Sequence, residues 1–286
     1  MRIGGERRSD NVEDRRGIRV SRKAVGVGGG IGTILLVIAA LYLGIDPRIF
    51  MSSGPAEEQV TEEASTGARS AEENRMADFA SAVLASTEDV WGDLFRRGGQ
   101  TYRPPKLVLF TDAVQSACGF AQAAVGPFYC PADQKLYIDL GFFKEMERRL
   151  QAGGDFAQAY VIAHEVGHHV QNLLGIMEKA QAARARAGEA ESNRISVRME
   201  LQADCFAGVW AHGADKARGI LEEGDVEEGM NAASAVGDDR MMRRGGGYVV
   251  PDSFTHGSSA QRVKWFRVGI ESGDVNRCNT FSAGSL

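Results

Sequence analysis

The chain has 286 residues, 43% of them apolar and 25% charged, a composition that excludes a disordered, fibrous or polytopic membrane chain and fits a globular one. Its net charge of −5 gives no electrostatic case for nucleic acid as a partner, since that binding draws on an excess of Lys and Arg. The average hides an asymmetry: residues 1–24 hold eight Arg or Lys against four acids, which leaves about nine net negative charges on the remainder.

The basic head, residues 1–23, is followed by AVGVGGGIGTILLVIAALYLGI, Ala24–Ile45, which contains no charged residue. A helix of that length spans about 33 Å, the thickness of a bilayer core. A core helix of a soluble domain is the plainer reading, but such length without charge is rare there and the glycines would weaken a helix in water. A cleavable signal peptide would have a shorter apolar region and a much shorter charged lead. The favoured reading is an uncleaved signal anchor, a single transmembrane helix embedded in the lipid bilayer. Arg15, Arg16, Arg19, Arg22 and Lys23 precede it, while Asp46 and a run of acids follow. The positive-inside rule then keeps the N-terminus cytoplasmic and exports everything beyond residue 46. Residues 46–74 carry six glutamates and no periodic apolar face, the composition of a solvated acidic linker.

A folded domain is expected over residues 75–286. Met76, Phe79, Ala80, Val83, Leu84, Val90, Trp91, Leu94 and Phe95 recur at helical spacing and predict an amphipathic helix over 75–96. KLVLF at 106–110 reads as a buried strand. FYC at 128–130 and KLYIDL at 135–140 flank a turn and read as a β-hairpin. A long helix opens near Asp155 and ends at Gly175, and a second spans Ser192–His212. Shorter helices are expected at 214–222, 225–237 and 258–271. Strands early and helices late imply an α+β domain, mainly helical with a small sheet.

The first long helix contains HEVGHH, His164–His169. His164 and His168 lie four apart, so on a helix both imidazoles project from one face, where they can share one tetrahedral zinc. Glu165 sits about 100° round the same turn, placed to act on a zinc-bound water as general base without ligating the metal. Incidental histidines on a polar face are the bland alternative, but Tyr160, Val161, Ile162, Ala163, Val166, Val170, Leu173 and Leu174 mark a mostly buried helix, and polar groups there need partners. Gly167 leaves room for another segment to approach the metal. His169 points about 100° away from His168 and reads as a packing or hydrogen-bonding histidine.

A third ligand is expected from the second long helix, RMELQADCFAG. Glu200 is the candidate, with Asp204 one turn later on the same face to accept a ring N–H from a ligand histidine. His212 is the rival ligand, but it lies about 18 Å further along the helix.

HEVGHHVQ, then ELQADCFAGVW, with SACGFA and GPFYCP upstream and RRSDNVEDRRG at the head, resemble the bacterial family known as putative neutral zinc metallopeptidases, over nearly the whole chain. The resemblance implies a zincin-like fold and a gluzincin-type centre: one zinc per chain held by His164, His168 and Glu200, with Glu165 as base. The spacing of Glu200 and Asp204, and SFTHGSSAQRVKWF (Ser253–Phe266), are similar to CAAX-type prenyl endopeptidases. That similarity implies that His256 donates a hydrogen bond to the oxyanion and that Arg262 orders its segment, although Gly257 stands where those enzymes carry proline. Gly126–Tyr129, ahead of the metal helix, reads either as an ordinary hairpin or as an edge strand that binds extended peptide by β-augmentation.

Cys118, Cys130, Cys205 and Cys278 all follow the apolar stretch, and none has C-x-x-C spacing. In an exported domain an even count implies two disulfides. Of three pairings, Cys118–Cys130 with Cys205–Cys278 is preferred, because the first closes a local loop. The expected function is a membrane-tethered zinc endopeptidase acting on peptides or proteins outside the cytoplasm. The alternative is an inactive tethered binding or regulatory protein with a structural zinc; an intact Glu165 favours the enzyme, since a structural site needs no base.

Overall fold

The computed structural model describes residues 1–23, 59–64, 69–122, 126–246, 248–282 and 284. The expected transmembrane segment, 24–45, and much of the linker lie outside the described residues; no described helix is long and apolar enough to cross a membrane.

Helix α1 (Ala71–Arg97) starts at a reciprocal capping box in which Ser70 and Glu73 each bind the other's backbone N–H, satisfying two donors that a helix start leaves open. Its buried face, with Val83, Leu84, Trp91 and Phe95, follows the predicted periodicity. A four-stranded sheet comes next in the fold, in the order β1 (Val12–Asp14), β4 (Lys106–Phe110), β8 (Lys135–Asp139), β7 (Phe128–Cys130). β1, β4 and β8 run parallel, and β7 closes one edge antiparallel to β8. The hairpin and the KLVLF strand are therefore as expected. A two-stranded hairpin, β5 (Ala113–Ser116) with β6 (Gly119–Gln122), was not foreseen.

The helical part is built on α3 (Asp155–Leu173) and α5 (Glu189–Arg218), which pack against each other and on α8 (Ser259–Ser272). Gly175 follows α3 with φ 68°, a backbone that glycine adopts without strain. α5 runs on to residue 218, so the separate helix expected at 214–222 is its last turns, ended by Gly219 in the left-handed region. The other α-helices among the described residues are α2 (Gly141–Leu150), α4 (Ile176–Arg184), α6 (Asp225–Ala235) and α7 (Asp238–Arg244). Both preferred disulfides are present: Cys118–Cys130, with its sulfurs 2.05 Å apart, and Cys205–Cys278, at 2.03 Å. The second ties the middle of α5 to the C-terminal segment.

The largest departure concerns the head. Residues 1–23 read as a separate basic unit, yet residues 1–16 fold onto the domain. Ile3 is 4% exposed within the main core. The Arg2 N–H donates to the Ile220 carbonyl, and β1 adds a parallel edge to β4. Arg7 pairs with Glu88 and Asp89, and Arg8 with Asp78, all three acids on α1. Buried Arg16 donates to the Glu73 carbonyl and pairs with Asp14. The charge excess that set this segment apart in composition is what attaches it, because α1 presents the matching carboxylates. The head then continues as β2 (Ile18–Lys23), which pairs antiparallel with β3 (Gln59–Ala64) so that Lys23 stands opposite Gln59.

Candidate metal centre

α3 and α5 cross closely at Gly167, where an added Cβ would stand 3.0 Å from the Ala203 backbone. That approach brings Glu200 of α5 over the histidine face of α3. His164 Nε2 lies 3.2 Å from one Glu200 carboxylate oxygen, and His168 Nε2 lies 3.4 Å from the other. One ligand atom from each of His164, His168 and Glu200 can be chosen within 4.8 Å of the others. Tetrahedral bonds of about 2.1 Å put neighbouring ligand atoms about 3.4 Å apart, so the donor set and its spacing fit zinc. Among the described residues this group stops at three.

The outer nitrogen of each histidine is held. His164 Nδ1 lies 2.8 Å from Asp204, and His168 Nδ1 lies 2.9 Å from Gln171 Oε1. Each acceptor fixes the tautomer that carries its proton on Nδ1 and turns Nε2 toward the metal position. Asp204 is itself fully buried, gripped by the Arg262 guanidinium through two 2.8 Å bonds and by the Tyr160 hydroxyl. Arg262 thus serves the metal helices through Asp204, where the sequence reading had it ordering the His256 segment. Gln171 is fixed through its amide nitrogen to the Met199 carbonyl and Gln202. Tyr160 and Gln171 were missed because neither residue type signals metal. The available clue was spacing: Tyr160 stands one turn before His164, and Gln171 three residues after His168.

Burial opposes charge throughout the cluster, but the partners outweigh it. Asp204 and Glu200 raise the His164 pKa to about 10, Glu200 raises that of His168, and the two histidines hold Glu200 well below the usual carboxylate range. Arg262 and His164 keep Asp204 ionised, lowering it to about 2 despite complete burial. Glu165, 7% exposed, goes the other way: desolvation pushes its pKa up, against the pull of His168 and His164.

His256 lines a cleft of about 320 Å³ together with His168, Glu200, Met177, Met199 and Arg184. Its Nδ1 lies 3.2 Å from Asp238, which also accepts the backbone N–H groups of Thr255, His256 and Gly257 and so fixes the turn. A larger cavity of about 550 Å³, lined by Leu174, Phe206 and Phe281 among others, shares only Ala180 with this cleft. His169 faces away from the ligands, between the Tyr129 hydroxyl and the Arg103 carbonyl, and burial lowers its pKa to about 4. His212 bonds the Ile270 carbonyl instead of joining the cluster. A second carboxylate group, Asp155, Asp225 and Glu228, already has a cation: the α-amino group of Met1, 2.8 Å from Asp155 and 3.3 Å from Asp225.

Residues 1–281 match a family described as "Putative neutral zinc metallopeptidase". The uncharacterized protein YpfJ of Escherichia coli strain K12 is 51% identical over 98% of this chain and 99% of its own length. An uncharacterized protein of Mycobacterium tuberculosis strain H37Rv is 40% identical over 86% of each. No solved structure matches the chain.

Proposed function

Because the chain belongs to that zinc metallopeptidase family, we propose that it hydrolyses peptide bonds at the cluster of His164, His168 and Glu200. The observation that carries this reading is the three-ligand group beside a buried glutamate, where a structural site would be closed by four ligands. His164 and His168 offer Nε2, and Glu200 a carboxylate oxygen. Zinc bound there supplies the Lewis acidity that polarises the scissile carbonyl and makes water acidic enough to attack at neutral pH.

The chain's own groups do the rest. Glu165 takes the proton of the attacking water at its carboxylate and delivers it to the leaving amine, so one water adds across one peptide bond. Its upward pKa shift suits a group that must gain and then give up a proton near neutral pH. His256, anchored by Asp238 at the cleft, donates to the oxyanion. β7 is an edge strand of the sheet and offers its free backbone to an extended peptide. His169 and Asn172 hold it against α3 through the Tyr129 hydroxyl.

In this proposal the apolar stretch Ala24–Ile45 tethers the enzyme to a membrane, with the catalytic domain outside the cytoplasm. Two disulfides in that domain support the exported location, since such bonds persist in oxidising compartments.

The test is metal analysis with peptide-library cleavage for wild type and Glu165→Gln. The variant should keep stoichiometric zinc and lose cleavage by several orders of magnitude. Undiminished cleavage would refute the assignment of Glu165.

A further inference from the structure

We propose that the basic head and the catalytic domain lie on the same side of the membrane, so that the chain before and after the apolar segment stays at one face of the bilayer. The inference rests on the reading that Ala24–Ile45 enters lipid, and it changes which side holds the N-terminus.

Three observations carry it. First, the head is built into the domain: Ile3 lies in the core, β1 forms an edge of the catalytic sheet, and Ser9 and Asn11 both bond to the buried Glu88 of α1. Two halves of one core cannot be separated by a bilayer about 30 Å thick. Second, β2 and β3 bracket the apolar segment in sequence, and their pairing sets Lys23 opposite Gln59. The chain therefore leaves the domain and returns to it at one point. If Ala24–Ile45 crossed the membrane once, residues 46–58 would have to cross back. That stretch is long enough, about 43 Å when extended, but it holds Asp46, Arg48, Glu57 and Glu58 with Pro47 and Pro55. Hydrocarbon does not accept charged, proline-broken backbone exposed to lipid.

Third, the basic residues of positions 2–16 are in use within the fold. Orientation by basic residues depends on cations free to stay at the cytoplasmic surface. Arg2 pairs with Glu222, Arg7 with Glu88 and Asp89, Arg8 with Asp78, Arg15 with Glu13, and Arg16 with Asp14. Four of these six carboxylates belong to the domain itself, so five of the eight cations that suggest a cytoplasmic lead are part of an internal ion-pair network instead.

Single cysteines introduced into the full-length chain decide it. All four native cysteines are paired, so an added thiol is the one reactive group. Gly5 and Gly188 are exposed, and a Cβ at either meets nothing within 4 Å. Gly5→Cys reports on the head and Gly188→Cys on the domain. Each is treated with a membrane-impermeant maleimide in intact spheroplasts and after lysis, and membranes are washed with alkaline carbonate. Equal labelling of both in intact spheroplasts is expected. Labelling of both only after lysis would still place head and domain together, but would refute export. Labelling of Gly188→Cys in intact spheroplasts, with Gly5→Cys reached only after lysis, overturns the proposal. Release of the chain by carbonate overturns the membrane reading itself, and this inference with it.

Discussion

At the level of single residues, the centre depends on groups that never touch the metal position. Asp204 receives His164 on one side and Arg262 on the other, so it joins ligand geometry to a buried charge. Asp204→Asn should weaken zinc binding by about 10–100-fold, measured by competition with a chelator, and destabilise the protein by roughly 3–5 kcal/mol because Arg262 is left buried without its counter-ion. Replacing both, as Asp204→Asn with Arg262→Met, should restore much of the stability but not the zinc affinity. Equal recovery of both quantities would contradict the divided role. Asp204 and Glu200 raise the His164 pKa to about 10, so that this ring is protonated at neutral pH in the metal-free site, and His168 is shifted in the same direction by Glu200, whereas a bound metal needs neutral imidazoles. Zinc affinity should therefore climb as pH rises toward the His164 pKa and fall as pH drops. Calorimetry at pH 7 in buffers of different ionisation enthalpy should show proton release on binding, and a heat independent of buffer would refute it. The grouping of His164, His168 and Glu200 and the bond from His164 to Asp204 were legible because acids and histidines at helical spacing carry a chemical signature. Gln171 and Tyr160 were not, because neutral hydrogen-bonding residues look the same in a core as beside a ligand.

At the level of elements, the crossing of α5 and α8 is tighter than that of α3 and α5. A Cβ on Gly269 would stand 2.0 Å from the Cys205 carbonyl oxygen, and one on Gly208 would stand 2.3 Å from that of Phe266. Gly269→Ala must part the two helices, at a cost of about 1–3 kcal/mol or more. Arg262 lies seven residues earlier on α8, so the same change should draw its guanidinium from Asp204 and weaken zinc binding; a lowered thermal midpoint with unchanged zinc affinity would show that the two are independent. The long helices were readable because each repeats its apolar face over several turns. β1 was not, because Val12–Asp14 is three residues long, too short to alternate, and its partner strand lies more than ninety positions away. Local pattern carries no trace of such pairing. The α2, α4 and α7 helices are short, and their caps lack the Ser, Thr, Asp or Asn side-chain bonds that announce a start.

For the whole molecule, composition suggested four units in series, and the structure makes most of the first part of the last. The ion pairs of the head are partly exposed and individually weak, but β1 also covers an edge that β4 would otherwise expose, and open edges invite association. A chain lacking residues 1–16 should melt at a lower temperature and aggregate on size-exclusion chromatography. Unchanged behaviour would show the head to be dispensable to the fold. The carbonyl of Ile220 that receives the Arg2 N–H also sets a timing. At synthesis rates of about 5–20 residues per second, Ile220 is made roughly 10–40 s after the head. For about the first half of that interval the first strand of the sheet also has no partner, because β4 lies some ninety-five positions further on, although the apolar stretch behind β1 has already emerged. Whatever accompanies this chain during its birth must hold both segments without committing them, because the N-terminus is among the first parts made and among the last that can be put in place.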